Sequence, residues 1–427
     1  MEKFVIDGRR RLSGSVTPSG NKNEALPTLA ATLLTKEPVI LRNVPRIRDV
    51  DVMCQVLTRQ GATVEWLSEN DVRICNADVE GPALDPDLCR RIRASILFAG
   101  PMVARLGHVI LPPPGGDVIG RRRVDTHLHA FQSLGARIDI ERAYDVQAGR
   151  LVGTDIFLDE ASVTGTENAI MAASLAKGVT TIRNAACEPH VCGLARMLVK
   201  MGAKIDGIGT NTLVITGVDE LGGCDHTIES DYLEIGSFIG LAAVTKSPLT
   251  IENVQPDNLR MIRMVFDRLG VQTDITGDKL FVPEDQTLQI KPDYHGHVPK
   301  IDDAIWPAFP TDLMSIVITV ATQCRGTVLF FEKMFEGRMF FTDHLQNMGA
   351  QIILCDPHRV VVVGPQTLRG GRVESPDVRA GMALLIAGLC SVGKTEIYNI
   401  HQIDRGYQRI EEKLQRLGAA ITRETVE

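Results

Sequence analysis

Residues 171–185 read MAASLAKGVTTIRNA. An apolar run with helical spacing meets a glycine turn and then passes into a β-rich run. The same phrase recurs as LAATLLTKEPVILRNV at 29–44, GLAAVTKSPLTIENV at 240–254, VATQCRGTVLFFEKM at 320–334 and LIAGLCSVGKTEIYNI at 385–400. A more diverged copy, FAGPMVARLGHVILPPP, lies at 98–114. One such echo is chance; six in order mark a fold built by repetition.

A second phrase keeps the same count. Gly61-Ala62, Gly135-Ala136, Gly202-Ala203, Gly270-Val271, Gly349-Ala350 and Gly418-Ala419 each close an amphipathic stretch such as RIEEKLQRLGA, at intervals of 67 to 79 residues. A glycine after the last periodic residue is a helix stop. Each unit therefore reads helix, turn, strand, helix, Gly-Ala, then further strand. Six units over 427 residues predict an α/β protein of two domains with three units each.

The turn residues of the six units are Glu37, Gly107, Gly178, Ser247, Gly326 and Gly393, and fourteen positions before them stand Asn23, Arg93, Thr164, Leu233, Asp312 and Arg379. Five of these six are polar, although an apolar helix follows each. Contexts such as FPTDLM, SPDVRAG and SVTGTEN look like helix starts, where Ser, Thr, Asp and Pro serve as N-cap and first-turn residues; on the plainest reading these residues only cap their helices, Thr164 among them. Arginine fits that role badly, because a cation opposes the helix dipole at an N-terminus. Arg93, Arg379 and Lys22, beside Asn23, therefore call for an anion. Helix N-termini from both domains are expected to converge on a polyanionic ligand.

Composition narrows the choice of ligand. The net charge is −7, which argues against wholesale binding to nucleic acid or anionic lipid, so any anion site must be local. No apolar run approaches the roughly 20 residues of a membrane span, and the start, MEKFVIDGRRRLSG, lacks signal-peptide form. Nine cysteines without a CxxC pair suit a reducing cytoplasm and no metal or disulfide framework. GLCSVGKT at 388–395 has the letters of a phosphate-binding loop, GxxxxGK[ST]. That loop needs a strand before it and a helix after it, whereas here a helix precedes and a strand-like run follows. The match is set aside, and a nucleotide hydrolase with it.

The loop LPPPGGDVIGRRRVD at 111–125 carries the carboxylate of Asp117 a few residues before three arginines. Together with SGNKN at 19–23, PAFPTDL at 307–313, FEGR at 335–338, SPDVRAG at 375–381 and IDRGY at 403–407, it resembles the UDP-N-acetylglucosamine enolpyruvyl transferases. The resemblance spans essentially the whole chain; the shikimate-pathway relatives share the architecture but lack the PGG loop. It implies two inside-out α/β domains, with 1–21 plus 232–427 forming one and 22–231 inserted as the other. The implied reaction moves the enolpyruvyl group of phosphoenolpyruvate to the 3-hydroxyl of UDP-N-acetylglucosamine, releasing phosphate, without metal or organic cofactor. The expected partners are those two small molecules, with no nucleic acid or membrane, in the cytoplasm; the oligomeric state is left open.

By motif, Lys22, Arg122 and Arg405 resemble the residues that hold the phosphate of phosphoenolpyruvate, and Arg338 and Arg379 those on its carboxylate side. Asn23, Arg93, Asp125, Ser162 and Val163 resemble contacts to the UDP-sugar, and Met334 is placed with the substrate-binding residues. Asp312 resembles the acceptor of the 3-hydroxyl proton. Asp377 is either a second acid near the reacting centre or a plain first-turn helix acid. Asp117 stands where most of the family has a cysteine that protonates C3 or helps product leave. The three arginines would hold this carboxyl ionised, and substrate anions would raise its pKa again. Its loop reads as a mobile lid, glycines letting it move and prolines limiting it. Fosfomycin alkylates the family's cysteine thiolate, and a carboxylate is a weaker nucleophile toward its epoxide, so insensitivity is expected. Arg123, Gln402 and Thr164 replace the family's usual proline, histidine and glycine, which leaves another nucleotide sugar or a nucleoside open as acceptor. A non-catalytic binding homologue is the non-enzyme alternative. The joint presence of Lys22, Asp117, Asp312, Arg379 and Arg405 argues against it.

Overall fold

The computed structural model describes residues 2–116, 119–120 and 122–425. Its contacts divide the chain into two units. A flanking unit takes Met1–Ser19, Val118–Arg121 and Ser230–Glu427, and an inserted unit takes Gly20–Asp117 and Arg122–Glu229. Each has its own apolar core.

Six helices follow the repeated apolar phrase: α1 Lys22–Ala31, α2 Ala99–Leu106, α3 Val163–Ser174, α4 Tyr232–Thr245, α5 Met314–Ala321 and α6 Val378–Cys390. Every residue of α5 and α6 is buried, and almost every residue of α1 and α4. A helix apolar on all sides belongs inside, and these pack in threes at the centre of each unit. Sheets and amphipathic helices lie around them. The amphipathic helices end where the Gly-Ala pairs predict: Gly61, Gly135, Gly202, Gly270, Gly349 and Gly418 all adopt φ between +79° and +107°, a left-handed turn that a side chain would strain.

The sheets explain why the chain is interrupted where it is. In the inserted unit, Val39–Arg42 and Val72–Cys75 pair antiparallel, and Asp225–Thr227, from the end of the third repeat, joins them in parallel. The first repeat passes its own end to the second sheet through Ala83, and the second passes Asp155–Phe157 to the third. Three repeats thus close a ring. The flanking unit follows the same rule with help from the start of the chain. Glu2–Asp7 pairs with both Lys394–Tyr398 and Ala420–Thr425, and Gly14–Val16 lies parallel to Leu249–Ile251. The first sixteen residues supply the strand that the sixth repeat lacks, then tie it to the fourth.

One detail of the sequence reading is corrected and another is borne out. The count-back positions are not caps: Asn23, Thr164, Leu233 and Arg379 are the second residues of their helices. The caps stand two residues earlier, where Asn21, Ser162, Asp231 and Asp377 accept backbone N–H groups with their side chains. GLCSVGKT is the helix-to-strand turn of the sixth repeat, with Gly388 and Cys390 ending α6 and Lys394 opening a strand. All nine cysteines are free thiols; five are buried, whereas Cys355 is exposed.

Candidate active site

The candidate residues are divided between the two units. In the flanking unit the centre is Asp312, in the turn Thr311–Leu313 that leads into α5. Its Oδ1 accepts from Arg338 Nη2 at 2.9 Å and its Oδ2 from Arg379 Nε at 3.1 Å. Both guanidinium groups are almost fully buried, whereas Asp312 keeps a quarter of its side chain exposed. Two cations thus converge on one carboxylate that remains partly wetted. Arg338 Nε and Arg379 Nη1 are buried donors with no acceptor among the described residues. Burial opposes the Arg379 charge, but Tyr407, Asp312 and Asp231 outweigh it and hold the group above its usual pKa. The same balance holds for Arg338, where Asp312, Glu332 and Asp377 supply the compensation.

Asp377 caps α6, accepting from Arg379 N at 2.8 Å and Ala380 N at 3.0 Å. It is the N-cap itself rather than a first-turn acid, and it orients the backbone that carries Arg379. Tyr407 lies under the Arg379 guanidinium, 5.5 Å from ring centroid to Cζ, and its hydroxyl meets Ser237 Oγ at 3.1 Å. Arg405 donates to Gln402 Oε1 at 2.9 Å. Met334 is more than a third exposed on the segment before Arg338, and Phe335 lies under that guanidinium. Gly337 N donates to Ile119 O at 2.9 Å, and a Cβ on Gly337 would meet that backbone at 2.9 Å.

In the inserted unit, Lys22 opens α1 and its Nζ pairs with Asp49 Oδ2 at 2.8 Å, both side chains nearly buried. Asn23 follows it. Arg93 Nη2 donates to the carbonyls of Arg122 (2.7 Å) and Arg123 (2.9 Å). Burial, with the nearby Arg122 charge, pulls Arg93 down to about 10. Arg123 bonds Asp125 (3.2 Å) and Asp159 (2.9 Å). Ser162 Oγ accepts from Gly165 N at 3.2 Å, and Val163 begins α3. Asp117 lies outside the described residues. The glycines before it have a role other than the freedom expected of them. Gly115 N donates to Cys89 O, and a Cβ there would fall 1.7 Å from Arg90 O; at Gly116, with φ +115°, it would fall 2.8 Å from Arg93 Cβ. Both serve close approach to the segment that carries Arg93.

The family pattern of EPSP synthase (3-phosphoshikimate 1-carboxyvinyltransferase) matches residues 6–414. The UDP-N-acetylglucosamine 1-carboxyvinyltransferase of Bradyrhizobium diazoefficiens is 56% identical over 421 residues, covering 99% of this chain and 98% of its own. That of Treponema denticola is 53% identical over 421 residues, with 99% of each chain covered. The chain belongs to the UDP-N-acetylglucosamine 1-carboxyvinyltransferase family. It is an enolpyruvyl transferase. The fold agrees: an enolpyruvyl transferase from Streptomyces tendae superposes with a TM-score of 0.88 at 24% identity, covering 100% of this chain and 99% of its own. An EPSP synthase from Acinetobacter baumannii gives 0.76 at 18%, with both chains fully covered. Among the described residues no helix is long and apolar enough to cross a membrane. No group of three or more His, Cys, Asp or Glu there could hold a metal ion.

Motif reading missed the groups that hold these residues in place. Asp49 pairs with Lys22 from the first turn of the next helix, but nothing local in the sequence links them. His127 is fully buried between Thr164 Oγ1, 3.1 Å from Nε2, and Asn168 Nδ2, 2.7 Å from Nδ1. Asn168 Oδ1 accepts from Gly100 N at 2.8 Å, so its amide nitrogen faces the histidine. That orientation leaves Nδ1 as the acceptor and makes Nε2–H the donor to Thr164. Burial, aided by Arg93, pulls His127 down to about 3.

Proposed function

We infer that this protein transfers the enolpyruvyl group of phosphoenolpyruvate to the 3-hydroxyl of UDP-N-acetylglucosamine and releases phosphate, the first committed step of peptidoglycan synthesis. The observation that carries the reading is the Asp312 carboxylate held between the two buried guanidinium groups of Arg338 and Arg379. Arginine presents paired N–H donors that match a carboxylate, and fixed charges in a partly dry site stabilise charge that develops during reaction.

In the proposed mechanism Asp312 accepts the 3-hydroxyl proton as that oxygen attacks C2 of phosphoenolpyruvate, while a proton is delivered to C3. Arg338 and Arg379 hold the substrate carboxylate; Lys22, Arg122 and Arg405 hold the phosphate. Loss of a C3 proton and of phosphate from the tetrahedral adduct gives the enolpyruvyl ether. Asn23, Arg93, Asp125, Ser162, Val163 and Met334 serve substrate binding, and Asp377 keeps Arg379 in place. Asp117 is proposed as the C3 proton donor, in place of the family's cysteine. These residues are drawn from both units of the chain. The setting is the cytoplasm.

The three departures have local partners: Arg123 bonds Asp125 and Asp159, Gln402 bonds Arg405, and Thr164 bonds His127. None of them requires a different acceptor. Incubation with phosphoenolpyruvate and UDP-N-acetylglucosamine, read by mass spectrometry of the nucleotide sugar, tests the function. An added enolpyruvyl mass supports it. Product only with another nucleotide sugar would keep the chemistry and change the acceptor. Binding without product would mark a non-catalytic homologue.

A further inference from the structure

Behind Asp312 and Arg338 lie two more carboxyl groups with no place in the mechanism above. Asp303 follows strand Lys300–Asp302, and Glu332 follows strand Gly326–Phe331; the strands run parallel with Asp302 opposite Phe331. The two acids therefore leave neighbouring strand ends together, and both are completely buried. Glu332 Oε1 accepts from the N–H groups of Met334 (3.0 Å) and Phe335 (3.1 Å), and Thr311 Oγ1 lies 3.0 and 2.9 Å from the two Glu332 oxygens. Asp303 Oδ1 accepts from Lys333 N at 2.6 Å. These bonds join the turn that carries Asp312 to the segment that carries Met334 and Arg338.

Asp303 Oδ2 is the exception. It is buried and has no donor among the described residues. An ionised oxygen without a donor in such a place is costly, but the Glu332 carboxyl is a hydrogen-bonding neighbour of Asp303. A single proton between the two groups satisfies the orphan. We propose that Asp303 and Glu332 share one proton and act as a positioning pair that sets Asp312 and Arg338 for enolpyruvyl transfer. This rests on the reading of Asp312 and Arg338 as substrate residues.

The surroundings fit one negative charge on the pair. Arg338 Nε stands 3.8 Å from Glu332 Oε2, and Asp312, Asp377 and Arg379 surround that guanidinium in turn. Lys333 turns away to Asp302, and His358 Nδ1 donates to the Glu332 carbonyl at 2.7 Å rather than to its carboxyl. Burial, reinforced by Asp303 and opposed by Arg338 and Thr311, pushes Glu332 up to about 8. Once the proton is lost, a second negative charge stands beside Arg338 and competes with the carboxylate of phosphoenolpyruvate.

The test is the pH dependence of kcat/KM for phosphoenolpyruvate in wild type and Asp303→Asn, whose amide can donate to Glu332 at every pH. Wild type should lose about tenfold per pH unit above pH 8 through a rise in KM, with the KM for the nucleotide sugar steady. D303N should keep near-wild-type activity at pH 7 and lose that alkaline limb. The same limb in D303N would overturn the proposal. If D303N does not fold, infrared difference spectroscopy of wild type decides: a protonated-carboxyl band at pH 7 that vanishes above pH 8 supports the pair, and no such band overturns it. The band is independent of turnover, so a failure of the transferase reading would be distinguishable.

Discussion

At the scale of single residues, the account depends on charges that have only a few ways to be satisfied. Asp312→Asn keeps the size and hydrogen-bonding pattern but not the base, so kcat should fall by about 10²- to 10⁴-fold with substrate binding largely kept, as stopped assays and equilibrium binding would show. Retained kcat would remove Asp312 from the role of base. Asp117→Cys should restore a thiol that fosfomycin can alkylate, giving time-dependent inactivation and a mass adduct on that residue. The wild type should show neither, and an adduct on Asp117 would overturn that reading. His127 gives a stability prediction. Its neutral form is favoured in the fold, so protons bind preferentially to the unfolded chain between about 3 and 6.5, and stability should fall as pH drops through that window. His127→Gln should flatten that part of the pH–stability curve measured in urea. Arg379 could be singled out from sequence because a cation at a helix start is unusual, and Asp312 and Arg338 through the motifs FPTD and FEGR that carry the resemblance. Glu332, Asp303 and Asp49 could not, because their meaning lies in partners that only the folded chain brings near.

At the scale of elements, the repeated phrase led to six helices with the correct ends, because burial on all sides and glycine stops leave local marks. The helix starts were legible but which residue caps them was not, since an N-cap and a second helical residue draw on the same polar residue types. The close approach of Gly115 and Gly116 to the Arg93 segment was not legible, as a close backbone approach and a mobile hinge both select glycine. The core helices pack closely enough to predict a cost. A Cβ on Gly236 of α4 would sit 2.6 Å from Leu313 Cδ1, the residue next to Asp312. Gly236→Ala should therefore destabilise the protein by about 1–3 kcal/mol in denaturant unfolding and lower kcat as well. An unchanged midpoint would mean that the Leu313 turn yields freely.

For the whole molecule, the closed rings explain why the first residues belong with the last. The inserted unit completes its ring within Gly20–Glu229, using Asp225–Thr227. The flanking unit needs Glu2–Asp7 and Gly14–Val16. A fragment of residues 20–229 should unfold cooperatively on its own, whereas 230–427 without the first sixteen residues should not, as circular dichroism on heating would show. Repetition was legible because six copies share one pattern. The passing of strands between repeats was not, because it depends on pairing between distant segments. The central claim is that these charges drive addition and elimination at phosphoenolpyruvate, and the most direct test is to run the reaction with UDP-N-acetylglucosamine in deuterated water and examine the product by NMR. The account predicts an enolpyruvyl sugar nucleotide with solvent deuterium at C3 of the enolpyruvyl group and one phosphate released per product. Product without deuterium, or phosphate release with no sugar product, would contradict it.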